Sequence, residues 1–227
     1  MRTLQQPLFT PETEWVPPDH LPDLSGHSEI AIDLETRDPN LITMGSGSVR
    51  RDGEVVGIAV AVEGWSGYFP IAHEGGGNMD RGLVLDWFEE LLQTTSTKIF
   101  HNAMYDVSWI RSMGFYINGG IIDTMIAASL IDENRWSFTL DSVGKDYIGM
   151  RKNEKLLQDA AKDFGVNPKA EMWRLPAPFV GEYAEKDAEM TLKLWHALQH
   201  EISKQDLWDV FNLETQLFPC LVDMKFK

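Results

Sequence analysis

The run SEIAIDLETRDPN, Ser28 to Asn40, limits what this chain can fold into more than any other stretch. Its centre alternates as a β-strand does, and side chains two apart along a strand share a face. Ile30, Ile32 and Leu34 therefore line one side, while Ala31, Asp33 and Glu35 line the other. Two carboxylates on one face at the end of an apolar strand repel each other and resist desolvation unless a cation sits between them. The run calls for a sheet to lie in and for something cationic to face.

The flanking sequence supplies the sheet. EVVGIAVAVEG (Glu54 to Gly64) and GYFPIAHE (Gly67 to Glu74) read as two more strands, joined tightly through Glu63 to Ser66, so three consecutive strands give the sheet an antiparallel start. LVLDWFEELLQ has helical spacing and TKIFH is a short strand. NAMYDVSWIRSMG reads as a helix closed by Gly114, and DTMIAASLIDEN as one opened by Asp123. SFTLDSVGKDYIG, NEKLLQDAAKDFG and FVGEYAEKDAEMTLKLWHALQHEISK are helical too, so the pattern is an α/β domain with its strands in the N-terminal half. Residues 1–26 carry Pro7, Pro11, Pro17, Pro18 and Pro22 with little periodicity and read as an extended arm over the surface.

Composition excludes several classes. A chain of 227 residues that is 43% hydrophobic, with eight Trp and eleven Phe, can build an ordinary packed core. No apolar run reaches the ~20 residues of a membrane span, and MRTLQQPLFTPETEW lacks the apolar core of a signal peptide. A single cysteine, Cys220, allows neither an internal disulfide nor a cysteine zinc site, which suits a reducing cytoplasm. The formal charge of −15 argues against a broadly basic nucleic-acid surface, so any polyanion must be held locally.

Two further stretches carry chemistry. In TKIFHNAMYDVSWI, Asn102 stands where an N-cap belongs and Asp106 lies four residues on, sharing a face with Trp109 and Met113. Asp106 is either a ligand group beside the core at a strand end or a solvated helix acid. In YAEKDAEMTLKLW, Tyr183 and Asp187 are again four apart, on a stripe continuing through Met190, Leu194 and Leu198. Asp187 either faces a cation or buried base, or pairs with Lys186 or Lys193 in solvent. GSGS (Gly45 to Ser48) and EGGGN (Glu74 to Asn78) lack the context of a phosphate loop and read as flexible turns. His196 and His200 lack a third ligand and read as structural; Asp123 reads as a cap, and Asp132, Glu133 and Asp141 as solvated acids.

DLET, NAMYD and YAEKD, in this order and on these elements, resemble the 3′-to-5′ exonucleases of the DEDD superfamily. Tyr183, four before the last Asp, matches the tyrosine subgroup; the histidine subgroup would place His at position 182, which is Glu here. The resemblance covers roughly residues 25 to 205 and looks most like the proofreading domain of family A DNA polymerases, particularly phage ones. It implies a ribonuclease H-like α/β fold, with a mixed central sheet flanked by helices, over residues 27–205. It also implies two divalent cations, Mg²⁺ or Mn²⁺, held by Asp33, Glu35, Asp106 and Asp187, with Tyr183 orienting the attacking water. Asn102 would position the terminal nucleotide, and the substrate would be a single-stranded DNA 3′ end.

Single-strand binding combines a cationic groove with aromatic stacking. Candidates are Arg50, Arg51, Arg151, Lys152 and Lys155 for the groove, and Tyr105, Trp109 and Phe138 for stacking. LETQLFPCLVDMKFK (Leu213 to Lys227) resembles the helix with which the polymerase part begins in that family, so residues 206–227 are expected to start a polymerase domain in cis. A monomer in the host cytoplasm is expected. An RNA-processing exonuclease of the same superfamily, and a non-catalytic domain that binds single strands or braces a polymerase, are the alternatives.

Overall fold

Glu29–Arg37 forms a strand, β1, at the centre of a five-stranded sheet. In the computed structural model, which describes residues 12–227, two single-turn helices follow, α1 (Leu41–Met44) and α2 (Gly47–Arg50), then β2 (Glu54–Val62) and β3 (Trp65–Pro70). Next come α3 (Arg81–Gln93), β4 (Thr97–Phe100), α4 (Ala103–Ser112), β5 (Ile121–Asp123) and α5 (Thr124–Ile131). The second half is helical: α6 (Leu140–Ile148), α7 (Lys155–Phe164), α8 (Gly181–Lys204) and α9 (Trp208–Lys225). Strand order is β3-β2-β1-β4-β5; β1, β2 and β3 are antiparallel, while β4 and β5 run parallel to β1. This is the mixed sheet with three leading antiparallel strands that the sequence predicts.

The alternation in β1 sorts its side chains as expected. Ile30, Ile32 and Leu34 enter a core with Val84, Phe88 and Leu92 of α3 and Val107, Trp109 and Ile110 of α4. Ala31 enters the opposite core, with Ala184, Ala188, Leu194 and Leu198 of α8 and Val143 of α6. Small alanines on this face (Ala31, Ala59, Ala61) let α8 lie close over β1, β2 and β3. Asp33 and Glu35 continue the α8-facing row beyond the alanines.

A bulge marks the end of the row. Glu35 pairs with Gly57 but Thr36 pairs with Val55, so Val56 is skipped on the β1 side, while its carbonyl accepts from Ile71 and Ala72 just beyond β3. Bulges re-aim side chains at sheet edges and beside active sites. Gly57 is required here, because a Cβ would sit 1.9 Å from the Tyr68 hydroxyl.

The structure departs from the sequence reading in several places. β5 is a strand of three residues directly preceding α5, too short to leave a period in the sequence. β3 begins at Trp65, so the connection to β2 is a two-residue turn. The glycine runs are not flexible turns. Gly47 opens α2 with its N–H on the Asp38 carboxylate, and Gly75 and Gly77 pack against the backbone of residues 175–178, with Ala177 N–H donating to Gly76 carbonyl. The described part of the arm, residues 12–26, has no regular structure; Trp15 packs at 6.0 Å from Tyr68 and donates to Glu185 Oε1. Pro7 and Pro11 lie outside the described residues. Among those residues no helix is long and apolar enough to cross a membrane.

Candidate active site

β1, α4 and α8 bring Asp33, Glu35, Asp106 and Asp187 to one place. Asp106 reaches β1 from α4 and accepts the Leu34 N–H at 3.1 Å. It is buried at 4% exposure, so it is not a solvated helix acid. Asp187 comes down from α8 on the stripe with Met190, Leu194 and Leu198, all of them buried. Lys186 and Lys193 both pair with Glu189, which leaves Asp187 to another partner.

That partner is Lys152, from the loop between α6 and α7. Its Nζ lies 2.5 Å from Asp187 Oδ2 and 3.0 Å from the Tyr183 hydroxyl, over the Tyr183 ring at 4.9 Å. The other Asp187 oxygen, Oδ1, is buried without a hydrogen-bond partner. No hydrogen bond reaches the carboxylates of Asp33 or Glu35 from any described residue, although Glu35 is only 8% exposed.

The electrostatics follow from this crowding. Burial and the Asp187 charge raise Asp33 to about 7 against the pull of Lys152. Burial together with Asp33 and Asp187 lifts Glu35 well above the carboxylate range, and burial with Asp33 lifts Asp106 likewise. Asp187 is raised by burial in opposition to Lys152. Burial works against the Lys152 charge, but Asp187, Asp33 and Glu35 outweigh it and hold the ammonium above its usual range. Tyr183 is pushed up by burial and by the same acids, so at neutral pH it is a hydrogen-bonding phenol and not a base.

The donor set suits hard divalent cations: four carboxylates, three of them buried, with two lacking any hydrogen bond and a third with an orphaned oxygen. Among the described residues, no three side chains are arranged to hold an ion as they stand, and Asp187 is paired with Lys152. The groups fit a metal chemically, with Asp187 Oδ1 buried and unpaired.

Asn102 occupies the N-cap position of α4 in a left-handed conformation (φ 70°, ψ 52°), and its side chain makes no cap bond. The capping is done by Asp123, which accepts from Asn102 N–H and Ala103 N–H as well as from Met125 N–H of its own helix. Asn102 is thereby held with its side chain in solvent. Non-glycine residues in this region cost roughly 1 kcal/mol or more and persist where the surroundings over-determine them, often at functional sites. His101, beside it, bonds to Thr124 and to the Phe138 carbonyl, and burial lowers it to about 4, so it stays neutral.

The other candidates separate. Tyr105 is held through its hydroxyl by Thr36 at 2.7 Å and donates to Asp38 at 3.3 Å, which places it along the wall beside β1. Trp109 is 2% exposed within the core against Gly53, so the expectation that it touches substrate is corrected: it is a packing residue. Phe138 is half-buried against the α8 core. Arg50 is consumed by Asp52, Asp38 and two carbonyls and organises its own loop, while Arg51 is exposed in a left-handed turn. Arg151, Lys152 and Lys155 line one cleft of about 800 Å³, together with Lys169, Asp141 and, at its inner end, Tyr183.

Sequence reasoning missed three things. Asp141 is not simply a solvated acid, since it accepts the Lys152 N–H at 2.9 Å. Tyr68 lies under the site and donates to His73 Nε2 at 2.6 Å, while His73 Nδ1 donates to the Leu175 carbonyl. Lys152 was grouped with the groove, not with the acids; nothing in RKNEK signals a partner 35 residues away.

Known proteins give the same assignment from outside. A family profile described as "3'-5' exonuclease", of the DNA polymerase A type, matches residues 11–203. A DNA-directed DNA polymerase of Pseudomonas phage M6 is 40% identical over 233 residues, covering 99% of this chain and 35% of the relative. DNA polymerase DpoZ of Salmonella phage PMBT28 is 30% identical over 89% of this chain and 31% of the relative. The chain thus spans about a third of the length of these phage relatives. Among solved structures, Brucella melitensis NrnC with bound Mg²⁺ superposes with a TM-score of 0.61 at 18% identity, over 92% of this chain and 90% of that one. Escherichia coli RNase D gives 0.60 at 16%, over 89% of this chain and 46% of that one; both show the fold alone. On its sequence and its fold, the chain belongs to the 3′–5′ exonuclease domain family of A-type DNA polymerases.

Proposed function

We propose that this domain removes nucleotides from single-stranded or frayed 3′ ends of DNA by two-metal-ion hydrolysis, as the proofreading part of a polymerase in cis. The observation that carries this reading is the convergence of Asp33, Glu35, Asp106 and Asp187, three of them buried, with fewer hydrogen bonds than their oxygens call for. Asp33, Glu35 and Asp187 would hold one ion, and Asp33 with Asp106 the other. Bound there, divalent ions supply an activated water and charge stabilisation for the leaving oxygen.

The remaining work falls to the chain's own groups. Tyr183 presents its hydroxyl beside Asp187 and orients the attacking water without taking its proton. Asn102, exposed at the start of α4, offers its amide to the terminal nucleotide. Tyr105, fixed by Thr36 and Asp38, lines a pocket with them at the end of β1. The cleft that Tyr183 lines brings Arg151, Lys155 and Lys169 together, interspersed with Asp141, Glu154 and Asp159, and offers these bases to backbone phosphates.

The polymerase relatives favour DNA. Digestion of a 5′-labelled single-stranded DNA and of an RNA of the same sequence, in Mg²⁺ or Mn²⁺, tests this choice. DNA shortened from its 3′ end faster than RNA is expected; faster loss of RNA would replace the reading with an exoribonuclease, and loss of neither with a binding or bracing domain.

A further inference from the structure

We infer that Lys152 is the resident cation of the metal-free site, holding against Asp187 the place that a divalent ion must take, so that metal loading requires its ammonium to withdraw. The inference rests on the metal-dependent reading above and adds a competitor built into the chain.

The geometry carries it. Lys152 Nζ touches Asp187 Oδ2 and the Tyr183 hydroxyl, the two groups assigned to one ion and its water. Asp187, one of the acids assigned to the metal, is thus already paired with a cation of the chain itself. Lys152 also lies within electrostatic reach of Asp33 and Glu35, so one ammonium offsets several carboxylates that would otherwise face each other unscreened. Without such a charge the buried acids would be held protonated more firmly still before any metal arrived.

The mounting suits a group that moves. Lys152 sits outside regular structure, between α6 and α7, yet its backbone N–H is fixed by the Asp141 carboxylate of α6 at 2.9 Å. The base of the side chain is therefore anchored, and withdrawal needs only rotation about the bonds of its four-carbon stem. It already lines the open cleft, where the withdrawn ammonium would meet the phosphates of an incoming strand.

Competition is measurable without turnover. Free Mn²⁺ is followed by its electron paramagnetic resonance signal during titration of wild type, Lys152→Met, Lys152→Arg and Asp33→Ala, with the melting temperature of each recorded with and without Mn²⁺. Lys152→Met should bind Mn²⁺ about tenfold more tightly than wild type, because no cation need be displaced. Its metal-free melting temperature should fall and its gain on adding Mn²⁺ should widen, while Lys152→Arg stays near wild type in affinity. If Lys152→Met folds only with Mn²⁺, the resident-cation role stands in its strongest form, and Lys152→Gln carries the affinity comparison. Unchanged or weaker binding by Lys152→Met, with binding still lost in Asp33→Ala, overturns the role of Lys152 and leaves the metal site intact. Absence of binding by wild type itself overturns both.

Discussion

Asn102, Asp106, Tyr183 and Asp187 each have a bonded neighbour that explains the pose, and the poses of Tyr183 and Asn102 imply measurable effects. Tyr183→Phe keeps the ring under the Lys152 ammonium but removes the hydroxyl beside Asp187. A fall in kcat of roughly a hundredfold with KM little changed is expected, since a water-orienting group acts in the transition state; loss of KM alone would make Tyr183 a binding residue instead. Asn102→Gly should relieve the left-handed strain and keep the melting temperature at or above wild type, yet weaken capture of the 3′ end, seen as a higher KM. If Asn102→Gly leaves KM and kcat untouched, the exposed amide has no part in substrate binding.

His73 gives a pH dependence at the same scale. Burial, against the hydrogen bond to the Leu175 carbonyl, lowers it from 6.5 to about 4. A base whose folded pKa is depressed contributes stability that is present above pH 6.5 and lost as pH falls through about 4, because the unfolded chain binds the proton first. Protonated His73 would also aim a donor at the Tyr68 hydroxyl that now donates to it. About 3 kcal/mol of stability should disappear across that window, and His73→Gln should flatten the slope in urea melts taken between pH 7 and pH 4.

At the scale of elements, the site is a β-bulge, two helix ends and one loop. Gly57→Ala would drive a Cβ into the Tyr68 hydroxyl opposite Glu35, costing about 2 kcal/mol or more, readable by thermal melting. Legibility in the sequence follows the same division. β1, β2 and α8 announce themselves because a period of two or of 3.6 runs through residues that are buried for it, such as Ile30, Ile32 and Leu34, or Met190, Leu194 and Leu198. Asp33, Glu35, Asp106, Tyr183 and Asp187 inherit legibility from those rows, since acids on an apolar stripe stand out. β5 is too short to show a period, and Lys152 and Asp141 act through a contact that only the packing of α6 against α8 creates. Trp109 misled because an aromatic one turn from Asp106 could face either the strand or the core; α4 turns it into the core.

For the whole molecule, the question is how α9 belongs. Phe211 stacks on Trp195 of α8 at 5.4 Å between centroids, and Phe218 and Val222 enter the core on the α4 side of the sheet. Leu213, Leu217, Leu221 and Met224 form the opposite, exposed stripe. Phe218→Ala should cost about 3 kcal/mol in denaturant unfolding, whereas Leu217→Ser should stay within about 0.5 kcal/mol in this chain. A chain ending at residue 205 would uncover Trp195 and should melt well below the full 227 residues, which would place the first part of α9 in the exonuclease unit and not with a following domain.

The acids tie these scales together, and the most direct measurement is digestion of a 5′-labelled single-stranded DNA in Mn²⁺ by wild type, Asp33→Ala and Asp187→Ala, with an EDTA control. A ladder shortening from the 3′ end, abolished by EDTA and reduced about a thousandfold or more in both variants, is the expected result. Undiminished digestion by folded Asp33→Ala or Asp187→Ala, or digestion that survives EDTA, would contradict a metal-dependent centre built on these carboxylates.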